Sequence, residues 1–279
     1  MLYFAAIEDF DMSDPITPME YHGSTGSLRR TLRGGVPDEM EVTLTVNGEA
    51  WLVFMCTPEY LDALAVGFLF NEGLIDSAAD IAQLRVCPAN DNVDVWTTKA
   101  IAKPARWRRT SGCAGGLSAA GEEKMKTHAL VIPAPPPGMA EYFNEVSLTP
   151  AQVNELMMHL FRAQHLHRQS GGVHASALSD GIRLFLSCED VGRHNTLDKL
   201  AGRVMLEKKS DPRLVTLTTG RISSEMLQKA ARMGTAVIIS CTAATSLAVK
   251  MAEVWGLMLI GYARKDSFIV FTHSERIRT

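Results

Sequence analysis

The chain has 279 residues, enough for one large core or two modest ones. Its net charge of −3 sets up no global field that would draw it to nucleic acid or to an anionic membrane. Five scattered cysteines argue against a disulfide framework. With no signal-peptide pattern, and no apolar run of the roughly 18 residues a membrane span needs, the expected setting is cytoplasmic.

Residues 1–38 are polar, rich in Gly, Pro and Ser and without a clear period, which predicts a loosely held arm. Alternation over Met40–Val46, the turn pair Asn47-Gly48 and an apolar return over 51–55 predict a β-hairpin. Thr57-Pro58 predicts a helix start, with Thr57 as N-cap, Leu61, Leu64, Ala65 and Phe68 as its buried stripe, and Gly73 as its stop. Two short strands follow at 84–87 and 93–97. From 103 to 127 the character changes: Lys103, Arg106, Arg108 and Arg109 precede Ser111-Gly-Cys-Ala-Gly-Gly116, and a mobile loop is expected. After a strand at 129–132, Pro133-Ala-Pro-Pro-Pro-Gly138 is a stiff spacer. It marks the boundary between a small α+β domain, 39–138, and an α/β domain, 139–279.

The second half is more regular. Thr149-Pro150 caps a helix that buries Val153, Leu156, Met157, Leu160 and Phe161, and strands at 173–178 and 182–187 flank the turn Asp180-Gly181. Helices at 193–208, 222–233 and 244–255 then alternate with strands at 213–218, 236–240, 257–261 and 268–272. This predicts an α/β class fold, a sheet covered by helices.

Three polar turns open these helices: Glu189-Asp-Val-Gly-Arg-His-Asn-Thr-Leu-Asp-Lys199, Thr219-Gly-Arg-Ile-Ser-Ser-Glu225 and Ser240-Cys-Thr-Ala-Ala-Thr-Ser246. At the carboxyl edge of an open α/β sheet such turns line one crevice, and helix N-termini there attract anions. A site for a phosphorylated molecule is the expectation. Arg193 and His194 offer donors, with Asp190 and Asp198 to orient them. The alternative is a capping network, with Asp198 and Lys199 on a solvated face. Arg221 would grip a phosphate, Ser223 or Ser224 would cap one helix, and Thr245 or Ser246 the next. His174 is expected as a hydrogen-bonded residue at the crevice edge. Neither GxGxxG nor GxxxxGK[ST] occurs, and no CxxC, HExxH or paired-His spacing suggests a metal site.

Cys113 sits between small residues after four cations, a setting that lowers a thiol pKa and leaves the sulfur reachable. The alternative is an inert surface cysteine. Cys56, Cys87, Cys188 and Cys241 lie in or at the ends of apolar strands, where cysteine usually packs as a small hydrophobe.

Read in order, Val46-Asn-Gly48, Cys56-Thr-Pro58, Leu64-Ala-Val-Gly-Phe-Leu-Phe-Asn-Glu-Gly73, Gly172-Val-His-Ala175, the Glu189–Lys199 stretch, Ser240 to Ala248 and Gly261-Tyr-Ala-Arg264 resemble the formate dehydrogenase accessory sulfurtransferase family, FdhD/NarQ. The resemblance implies a cytidine-deaminase-like C-terminal domain without deaminase chemistry, a homodimer, and a loop cysteine that carries persulfide sulfur. That sulfur would come from a cysteine desulfurase and go to bis-molybdopterin guanine dinucleotide, the molybdenum cofactor destined for formate dehydrogenase. It further implies that Tyr262, Ala263, Arg264, Lys265, Asp266 and Ser267 lie where the guanine dinucleotide binds. The family loop often reads Ser-Ser-Cys-Gly-x-Cys-Gly; this chain has Cys113 alone, with Gly116 where a second thiol would stand. A non-catalytic chaperone of the same cofactor is the competing reading.

Overall fold

The computed structural model describes residues 15–25, 28–105, 107–109, 117–119, 146–209 and 215–278. Cys113, most of the loop expected at 103–127, the strand at 129–132 and the spacer at 133–138 lie outside them.

The first described element corrects the expected loose arm. Strands β1 (Ile16–Thr25) and β2 (Leu28–Pro37) pair antiparallel along their full length. No apolar alternation announces this hairpin, because it is anchored at its base. Ile16 is buried with Leu166 and Val173, and the Asp38 amide donates to the Pro15 carbonyl.

Strands β3 (Met40–Val46) and β4 (Glu49–Cys56) form the expected hairpin, with Asn47 and Gly48 both at positive φ as a type I′ turn demands. Helix α1 (Leu61–Asn71) follows, then β5 (Ile81–Val86) and β6 (Asn92–Thr97), completing a four-stranded sheet in the order β4-β3-β6-β5. The expected cap of α1 is not the one used. Its N-cap is Tyr60, in the left-handed region, while the Thr57 hydroxyl accepts from the Val191 amide and the Thr57 amide donates to Asp190. A long-range partner has taken the capping residue. Strands β7 (Trp107–Arg109) and β8 (Leu117–Ala119) form a small separate pair.

Helix α2 (Pro150–Ala163) has the predicted cap, with Thr149 and Gln152 in a reciprocal capping box. A short α3 (Leu166–Ser170) leads into β9 (His174–Ser179) and β10 (Leu184–Asp190). The alternation predicted from sequence then appears: α4 (Arg193–Leu206), β11 (Val215–Thr218), α5 (Ser224–Arg232), β12 (Val237–Ser240), α6 (Ser246–Trp255), β13 (Met258–Arg264) and β14 (Ser267–Val270). The class is mixed α/β, with a six-stranded sheet in the order β10-β9-β11-β12-β13-β14.

The two sheets are joined through α1 and α4, whose backbones touch. A Cβ on Gly67 would sit 1.7 Å from the Asp198 carbonyl oxygen, and one on Gly202 would sit 1.9 Å from that of Ala63. Sandwiched there, α1 buries Leu61 and every residue from Ala63 to Leu69 rather than a single stripe.

Candidate functional site

Register fixes where the polar turns meet. Strands β11, β12 and β13 run parallel, and β9 runs against both β11 and β10. The carboxyl ends of β10, β11, β12 and β13 therefore share one edge of the sheet with His174, the first residue of β9. Hydrogen bonds tie the turns together along it. The Ala175 amide donates to the Thr219 hydroxyl and the Thr219 amide to the Ala175 carbonyl, Ser240 Oγ donates to the Gly220 carbonyl, the Tyr262 amide donates to the Thr242 carbonyl, and Arg264 Nε donates to the Cys241 carbonyl at 3.2 Å. Helices α4, α5 and α6 all begin here. Ser223 caps α5 and Thr245 caps α6 through their side chains, which settles both pairs of candidates.

The candidate residues divide by depth. Arg221, Tyr262, Arg264, Lys265, Asp266 and Ser267 are exposed, with Tyr262 and Lys265 at positive φ, while Ala263 is buried beneath them. Arg193 is buried, its stem lying over Gly220 so closely that a Cβ there would come within 2.8 Å. His194 is 3% exposed, and neither ring nitrogen has a hydrogen-bond partner among the described residues. Burial, with Lys229 and Arg193 nearby, pushes its pKa down to about 2, so the ring is neutral. His174 is also lowered, by burial and then by Arg193, and its ring makes no hydrogen bond to another described residue, contrary to expectation.

Neither Asp190 nor Asp198 accepts a hydrogen bond from the His194 ring. Nor do Asp198 and Lys199 occupy a solvated face. Asp190 pairs with Lys199 at 2.6 Å, both side chains fully buried, and accepts from Thr57, Gly192 and Asn195. Lys199 also donates to the Thr57 carbonyl at 3.0 Å. Asp198 pairs with Lys229 at 2.7 Å and accepts from Asn71, and Glu72 lies 3.5 Å from the same ammonium. Glu189 caps α3, accepting from the His165, Leu166 and His167 amides. Much of the Glu189–Lys199 stretch thus couples the two sheets. Sequence reading missed this, although Asn71 and Glu72 at the end of α1 and Lys229 in α5 supply the partners.

The four described cysteines are free. Burial raises the Cys56 thiol to about 12 and the Cys188 thiol to about 11, and raises Cys241 against a smaller opposing effect of Arg264. Cys87 donates to Asp91 at 2.7 Å. Lys103, one of the four cations expected to activate Cys113, pairs with Glu49 at 3.3 Å and donates to the Ala50 carbonyl. No cluster of three His, Cys, Asp or Glu side chains with metal-site geometry occurs among the described residues.

A mixed α/β protein with three helix N-termini and exposed cations along one strand edge is a class suited to binding an anionic ligand. The model of the FdhD/NarQ family matches residues 37–278, and the chain belongs to that family. A sulfur carrier protein FdhD of Bacillus licheniformis is 35% identical over 244 residues, 86% of this chain and 89% of that one. Its namesake in Staphylococcus aureus strain MRSA252 is 32% identical over 270 residues, 97% of each chain. Among solved structures, a candidate formate dehydrogenase accessory protein from Desulfotalea psychrophila superposes with a TM-score of 0.72 at 26% identity, covering 95% of this chain and all of that one.

Proposed function

We propose that this protein carries sulfur for formate dehydrogenase. In this reading the Cys113 thiolate attacks the outer sulfur of a cysteine desulfurase persulfide and becomes Cys113–S–SH, releasing the desulfurase thiolate; the exchange is redox-neutral. The outer sulfur then passes to bis-molybdopterin guanine dinucleotide, the cargo, before formate dehydrogenase receives it. The observation that carries the reading is the near full-length similarity to relatives named as sulfur carriers.

The site chemistry supports it. Arg221, Arg264 and Lys265 are exposed beside the N-termini of α5 and α6, where the phosphates of a dinucleotide would find both cations and amide donors. We assign Tyr262, Ala263, Asp266 and Ser267 to the same subsite, together with His174, Arg193, His194 and Thr245 from the neighbouring turns. The thiols of Cys56, Cys188 and Cys241 are all raised by burial, which leaves them less ionised than an ordinary thiol. No helix among the described residues is long and apolar enough to cross a membrane, and we read the working form as a cytoplasmic homodimer. The reading is tested in cells whose formate dehydrogenase depends on this chain. Cys113→Ala abolishes activity if the thiol carries sulfur, whereas a non-catalytic chaperone keeps it.

A further inference from the structure

We propose that the first turn of α4 holds a phosphate group of a nucleotide bound along the crevice, with His194 as the buried side chain that donates to it. The inference deepens the cofactor part of the proposed function and rests on it for the ligand. The phosphate nearer the guanine meets Arg264 and Lys265, and the farther one reaches α4.

The turn is built open. Ser223 and Thr245 cap α5 and α6, but α4 begins at Gly192, which has no side chain to offer its amides. That glycine is enforced by packing. A Cβ there would come within 2.8 Å of Asn195 Nδ2, which is itself fixed by the Met55 carbonyl and Asp190. A helix of 14 residues therefore points its positive dipole end at the crevice with no side-chain acceptor of its own. Gly192 is only half-buried.

A helix start alone does not identify a ligand; His194 does. It is 3% exposed, and neither ring nitrogen has a hydrogen-bond partner among the described residues. Polar atoms buried in this way are costly to leave unsatisfied. Cα–Cβ bonds in a helix tilt toward its N-terminus, so a side chain at the second helical position is carried toward the open turn. Lys229 of α5, Arg193 of α4 and His174 of β9 surround the ring. Burial, then Lys229 and Arg193, keeps it neutral, so one nitrogen has a proton to donate.

Arg193 and the sheet supply charge and reach. The Arg193 stem lies over Gly220, and the preceding residue, Thr219, lines a cavity of about 450 Å³ together with His174. That volume is in the range of small-ligand sites. Only β12 separates β11, which leads to Gly220, from β13, which leads to the 262–267 turn. At ordinary strand spacing the two turns are roughly 10 Å apart. A nucleotide with two phosphates bridges them, whereas a single phosphate ester fills one.

The test titrates the full chain with guanosine diphosphate and guanosine monophosphate by calorimetry. His194→Phe should weaken the diphosphate by roughly fivefold to tenfold, the worth of one hydrogen bond, and leave the monophosphate unchanged. His194→Gln, which keeps a donor, should restore most of the loss. A second readout needs no variant: the ring ¹⁵N resonances of His194 in the wild-type chain should shift with the diphosphate and not with the monophosphate. Equal weakening of both nucleotides by His194→Phe, a diphosphate affinity indifferent to it, or unmoved ring resonances would overturn the proposal. So would inorganic pyrophosphate binding as tightly as the diphosphate, since the site would then serve the free anion. Weakening of both nucleotides by Arg264→Ala/Lys265→Ala reads the 262–267 subsite separately, and desulfurase-driven loading of Cys113 reads the carrier function, so these ideas fail independently.

Discussion

At the residue scale, charge burial explains more of this protein than charge exposure does. Asp190–Lys199 is a fully buried pair whose carboxylate is satisfied by three further donors. Removing one partner leaves an uncompensated charge in a low dielectric, so Lys199→Met should cost about 3–5 kcal/mol in urea unfolding. The variant Asp190→Asn/Lys199→Met should recover part of that loss, and equal costs for the single and double changes would contradict the pairing. His194 gives a pH signature. Its folded pKa lies near 2, below the ordinary histidine value, so the unfolded chain binds a proton that the folded chain refuses. The contribution is fully present above about pH 6.5 and declines as the pH falls, by up to about 1.4 kcal/mol per unit. Compared with wild type, His194→Phe should flatten stability between pH 6.5 and 4.5. An unchanged slope would mean the ring is solvated. None of this was readable from spacing, since Asp198 and Lys199 look like helix-surface charges until α1 and Lys229 are brought against them.

At the scale of elements, what sequence conveys well is local. The type I′ turn at Asn47-Gly48, the Thr149 cap before Pro150 and the alternation from α4 to β13 all rest on neighbours a few residues apart, and all are legible in the sequence. What escaped depends on distant partners. Thr57 resembles an N-cap but serves β10 and α4 instead, and the β1–β2 hairpin is anchored through Ile16 against Leu166 of α3 and Val173 just ahead of β9. The closest backbone approach yields the sharpest prediction. Gly67→Ala would force a methyl to within 1.7 Å of the Asp198 carbonyl, parting α1 from α4 at a cost of at least about 3 kcal/mol. Gly171→Ala meets no atom within 4 Å and carries only the strain of its positive φ, so it should cost less. The reverse order, measured by thermal or urea unfolding, would mean the two helices do not meet as described.

For the whole molecule, topology does what no single motif could. Three helix N-termini meet at one edge only because β10, β11, β12 and β13 end side by side there, with the 262–267 turn bent over by Arg264 and Tyr262. The edge was foreseeable from the strand–helix alternation; the depth of each side chain was not, because exposure depends on packing across the sheet. If the cations at this edge hold the cofactor phosphates, Arg264→Ala/Lys265→Ala should weaken guanosine diphosphate binding by roughly tenfold or more, about 1.4 kcal/mol. Calorimetry showing undiminished affinity would move the site elsewhere.

The central claim is that sulfur rides on one thiol. Intact-mass analysis of the wild-type chain after incubation with a cysteine desulfurase and cysteine measures this directly. The account predicts a gain of sulfur that dithiothreitol removes and that Cys113→Ala abolishes. A Cys113→Ala chain that loads as fully from the desulfurase as wild type, or a wild-type chain that never gains the mass, would contradict it.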